Sequence, residues 1–321
     1  MQTTLFIDGE AGTTGLQIRS RLEGRDDIRL IGLEEAERKD VERRRARLNE
    51  ADIVVLCLPD DAAREAVAMI ENEAVRVIDA SSAHRTADGW TFGFPEYEDA
   101  QRDLIAASKR VTNPGCYAIT SIAMLHPLAA SGILPADWPV TLNAVSGYSG
   151  GGKALIRAFE DETADGYTRE PFRLYGLGLA HKHVPEIQHW AGLARPPLFV
   201  PSVARYRQGM LVSLPLQLGA LPGAPKPADI HAVLADHYAG EPYVTVPTLR
   251  ETASIATLDP EGLNGTNELR LHVFANEATG QALVVGLIDN LGKGASGQAL
   301  QNLNLMLGAP EGCGLDRPLL L

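Results

Sequence analysis

One cysteine stands where the chain leaves a turn and enters a helix. Cys116 lies in the segment Asn113–Tyr117, which contains a Pro-Gly pair, and apolar residues with helical spacing follow it as far as Ala129. A helix N-terminus offers free N–H groups and a partial positive charge, and both favour the thiolate over the thiol. A free cysteine is more often a small core residue. The turn and the helix start predict instead a nucleophilic cysteine.

Three glycines near the N-terminus are spaced like those of a phosphate-binding loop. They follow a strand-like segment, Thr4–Asp8, with the spacing G-x-x-G-x-x-G, and a helical pattern comes next. Small residues at such a place let the backbone approach a pyrophosphate at the helix N-terminus, although a plain strand–helix turn has similar glycines. The sequence therefore predicts a dinucleotide site formed by Gly9, Gly12, Thr13, Thr14 and Gly15.

The residues after the second predicted strand, Ile28–Leu33, leave the kind of nicotinamide cofactor open. An acidic residue at this place often binds the ribose hydroxyls of NAD, and Glu34 and Glu35 are near it. A cation would instead pair with the 2′-phosphate of NADP, and Arg38 and Lys39 offer one. The whole charged run is alternatively a solvated face.

Four further segments carry polar, basic or titratable side chains, namely Ser81–Arg85, Ser146–Lys153, His181–Ile187 and Arg205–Arg207. The first follows the fourth predicted strand, where ligands bind in parallel sheets. Together they supply the local positive charge that an anionic acyl phosphate needs in an acidic protein. Each also has an ordinary explanation as a surface histidine, a flexible loop or a solvated strand edge. Two histidines two positions apart without a third ligand make a poor zinc site, so no metal is expected.

The composition limits the class of function. The chain has 321 residues, with 29 Lys and Arg against 41 Asp and Glu, which gives a formal net charge of −12. This balance argues against a nucleic-acid partner, because such binding depends on basic patches. No apolar run is long enough to span a bilayer, and the N-terminus does not resemble a signal peptide, so no membrane partner is expected. Three cysteines far apart fit a reducing cytoplasm.

Strands alternate with helices over the first third of the chain, which indicates a parallel sheet. Asp60 is expected to cap the helix after the third strand. Beyond Cys116 the expected strands are longer and farther apart, as in an α+β domain, and a final helix is expected over about Ser296–Leu307. The length and this change of pattern predict an α/β protein of two domains.

Five segments, in order along nearly the whole chain, carry a resemblance to a known family. They are Phe6–Gly15, Asn113–Tyr117, Ser146–Gly152, His181–Ile187 and Asp289–Ala295. Together they resemble N-acetyl-γ-glutamyl-phosphate reductase, in the shorter of that family's two sequence types. The cysteine and histidine segments are specific, whereas the glycine segment is not. The family is related to the aspartate-semialdehyde dehydrogenases, which share its fold and its thioester chemistry.

The resemblance implies a fold and a reaction. The fold would be a Rossmann-type parallel-sheet nucleotide domain over residues 1–115 plus 290–321, and an α+β catalytic and oligomerisation domain with a mostly antiparallel sheet over 116–289. The reaction would be NADPH-dependent conversion of N-acetyl-L-glutamyl 5-phosphate, a small-molecule acyl phosphate, to the 5-semialdehyde with release of phosphate, in arginine biosynthesis. A homodimer or homotetramer is expected.

The resemblance also implies roles for individual residues. Cys116 would be the nucleophile that forms a thioester, and His181, His183 and Glu186 the acid–base region, with His183 the first choice for proton transfer. The further residues expected to bind the cofactor are Arg38, Ser81, Ser82, Gly150, Asn290 and Lys293. Those expected to bind the substrate or its phosphate are Arg85, Asn113, Ser149 and Lys153.

The residues alone are also compatible with other functions. One is aspartate-semialdehyde dehydrogenase or another acyl-phosphate reductase with the same chemistry. A different class is a non-catalytic NADP-binding regulator, which Cys116 and the two histidines disfavour. A zinc hydrolase is weakest, because the chain offers too few ligands with suitable spacing.

Overall fold

The computed structural model describes residues 2–38 and 40–315. The chain divides into two compact units. The first unit comprises Met1–Pro114 and Ala295–Leu321, and the second comprises Gly115–Gly294. The first unit is therefore assembled from both ends of the chain, whereas the second is one continuous segment.

The strands, in chain order, are β1 (Thr3–Asp8), β2 (Ile28–Ile31), β3 (Ile53–Leu56), β4 (Arg76–Asp79), β5 (Thr91–Phe92), β6 (Arg110–Thr112), β7 (Thr141–Gly147), β8 (Phe172–Leu174), β9 (Leu198–Ala204), β10 (Met210–Gln217), β11 (Val244–Thr245), β12 (Leu269–Asn276) and β13 (Gln281–Ile288). The helices are α1 (Thr13–Leu22), α2 (Val41–Glu50), α3 (Asp60–Ala68), α4 (Gln101–Ala107), α5 (Cys116–Ala130), α6 (Gly152–Glu160), α7 (His183–Trp190), α8 (Pro227–His237), α9 (Leu249–Ala253) and α10 (Gly297–Leu307). None of the described helices has the length and apolar character needed to cross a bilayer.

The six strands of the first unit form one parallel sheet in the order β2-β1-β3-β4-β6-β5. Phe6 in the middle of β1 is buried in one cluster with Leu48 of α2 and Ala63 of α3. Its neighbours Leu5 and Ile7 point to the opposite face and are buried as well. Such continuous apolar strands are typical of parallel sheets covered on both faces. The predicted Rossmann-type sheet is confirmed.

The second unit contains a seven-stranded mixed sheet in the order β11-β12-β13-β10-β7-β9-β8. The pairs β11–β12 and β7–β9 are parallel and the other four are antiparallel, which confirms the expected, mostly antiparallel sheet. Helix α5 packs on one face, where a Cβ at Gly286 of β13 would collide with the side chain of Thr120. Most residues of α5 are buried. This packing holds the helix, and hence its first residue, firmly on the sheet.

The expected cap at Asp60 is wrong. Pro59 occupies the N-cap position of α3. The Asp60 carboxylate instead accepts hydrogen bonds from the backbone N–H of Ser82, at 2.9 Å, and from its hydroxyl, at 2.8 Å. A side chain well suited to capping is therefore used to hold the loop after β4.

Several short elements were not expected from the sequence. Strands β5 and β6 have only two and three residues, too few to show a period. Strand β11 likewise has only two residues. A π-helical turn, Gly292–Ser296, precedes α10, whose bounds, Gly297–Leu307, confirm the expected final helix.

Candidate active site

Cys116 is the first residue of α5, and it is partly exposed. Gly115 before it is the N-cap residue, with extended backbone (φ −74°, ψ 150°), and its N–H donates to Oε1 of Glu186 at 3.0 Å. On the other side, a Cβ at Gly294 would lie 2.8 Å from the Cβ of Cys116. Glycine at 294 is therefore required for this close approach. The cysteine has the helix-start environment that the sequence predicts.

Two imidazoles lie beside the first turn of α5. The rings of His181 and His183 have centroids 4.7 Å apart, and Tyr117 lies 6.0 Å and 5.9 Å from them. The backbone N–H of His183 donates to Nδ1 of His181 at 3.2 Å. Nδ1 of His181 is therefore unprotonated, and its neutral imidazole carries the proton on Nε2. The structure brings Cys116 and both predicted histidines into one part of the second unit.

Two tyrosines of this cluster were missed from the sequence. Tyr117 donates its hydroxyl to the carbonyl of Ser202 at 3.0 Å. Tyr175 packs its ring 5.8 Å from His181, and burial raises the pKa of its phenol to about 12, although a hydrogen bond with Tyr117 acts in the opposite direction. Tyr175 is therefore a phenol that stays protonated close to the sulfur. Nothing in its sequence position, after a three-residue strand, distinguishes it from other tyrosines.

The predicted glycine segment after β7 is fixed by Asn290. The side-chain amide of Asn290 donates to the Ser149 hydroxyl at 3.0 Å, and its oxygen accepts from the N–H of Gly209 at 2.8 Å. A Cβ at Gly150 would lie 3.6 Å from the same amide. The structure therefore brings Ser149, Gly150 and Asn290 together, while Lys153 is exposed near the start of α6.

Asp289 organises the backbone on the other side of this segment and was not singled out from the sequence. Its side chain is fully buried. It accepts hydrogen bonds from Nε2 of Gln208 at 2.6 Å, from the N–H of Gly265 at 2.8 Å and from the N–H of Leu291 at 2.9 Å. Its carbonyl oxygen accepts from the N–H of Gly294 at 2.9 Å. Asp289 thereby holds the glycine that lies against Cys116.

Lys293, a predicted cofactor contact, lies in the π-helical turn before α10. It has no exposed surface, and its ammonium lies 5.6 Å from the ring centroid of Tyr243. A buried ammonium facing an aromatic ring is a structural cation–π contact. A role of Lys293 in binding the cofactor stays a prediction.

In the first unit, the glycine loop follows β1 as predicted. Gly9 has φ +87°, and a Cβ on it would collide with the carbonyl oxygen of Cys57. Gly12 caps α1 with extended backbone, and its own N–H donates to the Gly9 carbonyl at 2.9 Å. Thr13, Thr14 and Gly15 form the first turn of α1. The N–H groups of such a turn are the ones that bind a pyrophosphate.

Arg38 lies at the rim of this loop. Its guanidinium is 3.0 Å from one carboxylate oxygen of Glu10, and the guanidinium of Arg19 is 2.9 Å from the other. Two cations therefore share one anion, which leaves a net positive charge. Glu34, the acidic alternative, instead forms a capping box with Glu37. Lys39 lies outside the described residues. The arrangement suits a 2′-phosphate better than a free ribose hydroxyl.

The predicted segment after β4 is held by two carboxylates. Asp79, which is fully buried, accepts from the N–H and the hydroxyl of Ser81, both at 2.8 Å, and lies 2.6 Å from Nδ1 of His84. Asp60 holds Ser82, as described above. Arg85 is largely buried and donates to the carbonyl of Ala80 at 3.3 Å.

The side-chain amide of Asn113 forms hydrogen bonds within the first unit. Nδ2 donates to the carbonyl of Ala295 at 3.1 Å, and Oδ1 accepts from Asn302 of α10 at 3.2 Å. Asn113 thus joins the chain before Cys116 to the segment that returns near the C-terminus. Across residues 2–38 and 40–315, no group of three His, Cys, Asp or Glu side chains is arranged to hold a metal ion.

Two family models match the chain. Residues 9–105 match the semialdehyde dehydrogenase NAD binding domain, and residues 116–290 match the semialdehyde dehydrogenase dimerisation domain.

The chain is also similar to proteins named as reductases. It is 56% identical over 311 residues to N-acetyl-gamma-glutamyl-phosphate reductase 2 of Pseudomonas putida, covering 97% of this chain and 98% of that protein. It is 57% identical over 307 residues to the N-acetyl-gamma-glutamyl-phosphate reductase of Burkholderia cenocepacia, covering 95% and 97%. The protein of the same name from Trichormus variabilis is 51% identical over 317 residues, covering 97% and 98%.

Solved structures share the fold at low identity. Aspartate semialdehyde dehydrogenase II from Vibrio cholerae has a TM-score of 0.70 at 15% identity, covering 96% of this chain and 99% of that one. Aspartate semialdehyde dehydrogenase with NADP from Candida albicans has a TM-score of 0.63 at 14% identity, with the same coverage. The matched domains and the identity over nearly the whole length agree: the chain belongs to the N-acetyl-gamma-glutamyl-phosphate reductase family of semialdehyde dehydrogenase proteins.

Proposed function

We propose that this chain reduces N-acetyl-L-glutamyl 5-phosphate to N-acetyl-L-glutamate 5-semialdehyde with NADPH, releasing phosphate, as a step of arginine biosynthesis in the cytoplasm. The observation that carries the proposal is Cys116 at the first position of α5, with the imidazoles of His181 and His183 grouped around the adjacent Tyr117. The names of relatives that are more than 50% identical over nearly the whole chain supply the substrate.

The two domains divide the work in this proposal. Residues 1–115 plus 290–321 bind the dinucleotide, and residues 116–289 carry the catalytic residues and the oligomer contacts. When bound, NADPH supplies the hydride. The loop of Gly9, Gly12 and the first turn of α1 suits its pyrophosphate, since the N-cap residue Gly12 offers no side chain to cap the N–H groups of the turn. Ser81, Ser82, Gly150, Asn290 and Lys293 remain further candidates for cofactor contact.

The reaction begins with attack of the Cys116 thiolate on the acyl carbon. The new C–S bond forms as the bond between the acyl carbon and the phosphate oxygen breaks, and phosphate leaves. The thioester carbon then accepts hydride, which gives a thiohemiacetal oxyanion. His183 donates a proton to this oxyanion as a general acid. It accepts the proton back as a general base when the C–S bond breaks and the aldehyde is released. The proton consumed overall ends on the phosphate. Candidate contacts for the substrate or its phosphate are Arg85, Asn113, Ser149 and Lys153.

Replacement of His183 by glutamine tests the proton transfer. Glutamine keeps the approximate size of the side chain but cannot exchange a proton at neutral pH. We expect kcat to fall by about 10²–10⁴-fold, less than for loss of the nucleophile, and one limb of the pH–rate profile to flatten. The control is His189→Gln, which changes an exposed histidine near the end of the same helix. An unaltered pH–rate profile in His183→Gln would remove His183 from the mechanism.

Replacement of Arg38 by alanine tests the choice of cofactor. A charge-assisted contact with a phosphate contributes about 1.5–3 kcal/mol, so the Kd for NADPH should rise about 10- to 100-fold. The Kd for NADH, which lacks the 2′-phosphate, should change little. Nicotinamide fluorescence titration measures both constants. Arg43→Ala removes a more exposed arginine that pairs with Glu37 and serves as the control. Equal weakening of both cofactors would contradict this role.

The substrate is tested by comparing two acyl phosphates. NADPH oxidation should be rapid with N-acetyl-L-glutamyl 5-phosphate and slow with L-aspartyl 4-phosphate. The reverse preference would favour an aspartate-semialdehyde dehydrogenase. A non-catalytic NADP-binding regulator would turn over neither compound. N-acetylglutamyl phosphate would then not protect Cys116 from an alkylating reagent.

The chain forms homo-oligomers in this proposal, as a dimer or a tetramer. The face of the second-unit sheet opposite α5 supports this, because it presents partly exposed apolar side chains. Leu283 alternates with Gly286 along β13 and so lies on that face, with 38% of its surface exposed, and Leu198 of β9 is 46% exposed. A second copy would cover this surface. Equilibrium sedimentation gives the number of copies.

A further inference from the structure

We infer that Glu186 is a positioning residue, which sets the first turn of α5 through the backbone of Gly115 and does not exchange a proton with the substrate. The inference deepens the proposed function, on which it rests for the identity of Cys116 as the nucleophile. It replaces the acid–base role that the family resemblance implies for this glutamate.

The geometry of the carboxyl group carries the inference. Glu186 is 1% exposed, and its Oε1 accepts the N–H of Gly115 at 3.0 Å. Gly115 immediately precedes Cys116. Glu186 is also three residues after His183 in α7, and residues at this spacing lie on the same side of a helix. One side chain therefore ties the start of the helix that carries His183 to the start of the helix that carries the cysteine.

The backbone of Gly115 needs an acceptor at this place. It is buried, and as the N-cap residue its N–H has no partner inside the helix. A buried N–H without an acceptor is unfavourable, and the chain would shift to satisfy it. A shift of about 1 Å at a nucleophile can cost about 100-fold in rate. Glu186 prevents that shift.

The negative charge of Glu186 is not what the nucleophile requires. A nearby anion disfavours a thiolate, whereas the start of α5 favours it. What the site gains from the glutamate is an oxygen at the correct distance. A glutamine has such an oxygen at the same distance, and an aspartate, although charged, is one methylene too short.

Three variants separate the charge of the side chain from the position of its acceptor oxygen. Glu186→Ala removes the charge and the oxygen. Glu186→Asp keeps the charge but has a side chain too short to reach Gly115, and Glu186→Gln keeps an oxygen at the right distance without the charge. The rate of Cys116 alkylation by iodoacetamide should fall about two- to fivefold in the aspartate variant, because a displaced helix start stabilises the thiolate less while the nearby charge is kept. We expect kcat, which depends on the position of the sulfur against bound substrate, to fall about 30- to 100-fold in the alanine and aspartate variants. In the Glu186→Gln variant kcat should be at least about tenfold higher than in the alanine variant, and both limbs of the pH–rate profile should remain.

The alkylation readout does not need the substrate. If the parent protein failed to reduce N-acetylglutamyl phosphate, the proposed function would fall while the alkylation series still tested the positioning role. Cys116→Ser supplies the background from the other cysteines. The matched control is Glu170→Gln, an exposed glutamate of the same unit that binds Arg173 at 3.1 Å. Thermal melting shows which variants are folded, and the Gln–Asp comparison suffices if the alanine variant is not.

Two results would overturn the inference. The first is a glutamine variant as inactive as the alanine variant, with one limb of the pH–rate profile lost, since that is the behaviour of a proton-transfer group. The second is an alanine variant with the parent's alkylation rate and kcat, since the hydrogen bond to Gly115 would then be dispensable.

Discussion

Replacing Cys116 with serine is expected to reduce kcat by on the order of 10⁴-fold or more. A serine hydroxyl at this position has no ionised form near neutral pH, and neither the helix start nor an imidazole brings it to the reactivity of a thiolate. Steady-state oxidation of NADPH measures the loss. Without the thioester, no acyl group is held for reduction.

The same variant should bind NADPH as the parent does. The glycine loop that suits the dinucleotide lies in the first unit, whereas Cys116 lies in the second. Cys313→Ser, which removes a partly exposed cysteine of the first unit, should keep full activity. A Cys116→Ser protein with turnover within tenfold of the parent would rule out the covalent mechanism.

Replacing Asp289 with alanine is expected to give the largest loss of stability, about 3–5 kcal/mol in the free energy of unfolding. Three buried donors, on Gln208, Gly265 and Leu291, lose their acceptor together. For a unit of this size, the loss corresponds to a fall in Tm of about 10 °C. Urea unfolding followed by circular dichroism measures it.

The control for this prediction is Asp137→Ala, which removes an exposed carboxylate of the same unit. Its effect should stay within about 0.5 kcal/mol. If Asp289→Ala unfolded within 1 kcal/mol of the parent, water must replace the carboxylate on all three donors, and the argument from buried hydrogen bonds would not hold.

The parts of the site that could be predicted from sequence depend on local pattern. Gly9 and Gly12 lie between an apolar strand and a helix, and Cys116 follows a Pro-Gly turn, so a few neighbouring residues determine their surroundings. The parallel sheet of the first unit also follows from local alternation of strands and helices. The family resemblance supplied the roles of His181 and His183, which remain proposals.

The remaining parts depend on contacts between distant segments. Glu186 reaches Gly115 across 71 positions, and Asp289 reaches Gln208 across 81. Tyr175 follows a strand too short to show a period. Lys293, a predicted cofactor contact, is fully buried in the fold with its ammonium facing the ring of Tyr243. No property of the single residue distinguishes these cases, because each is decided by what the chain brings next to it.

The assembly of the first unit from both ends of the chain has a consequence for biosynthesis. Asn302 donates to the carbonyl of Gly93 at 3.0 Å, as well as to Asn113, so the unit is incomplete until helix α10 has been translated. The second unit is uninterrupted and can close as soon as residue 294 has left the ribosome. During synthesis the second unit can therefore fold before the first. A stop codon shortly before position 295 would leave the second unit whole and the nucleotide-binding unit incomplete.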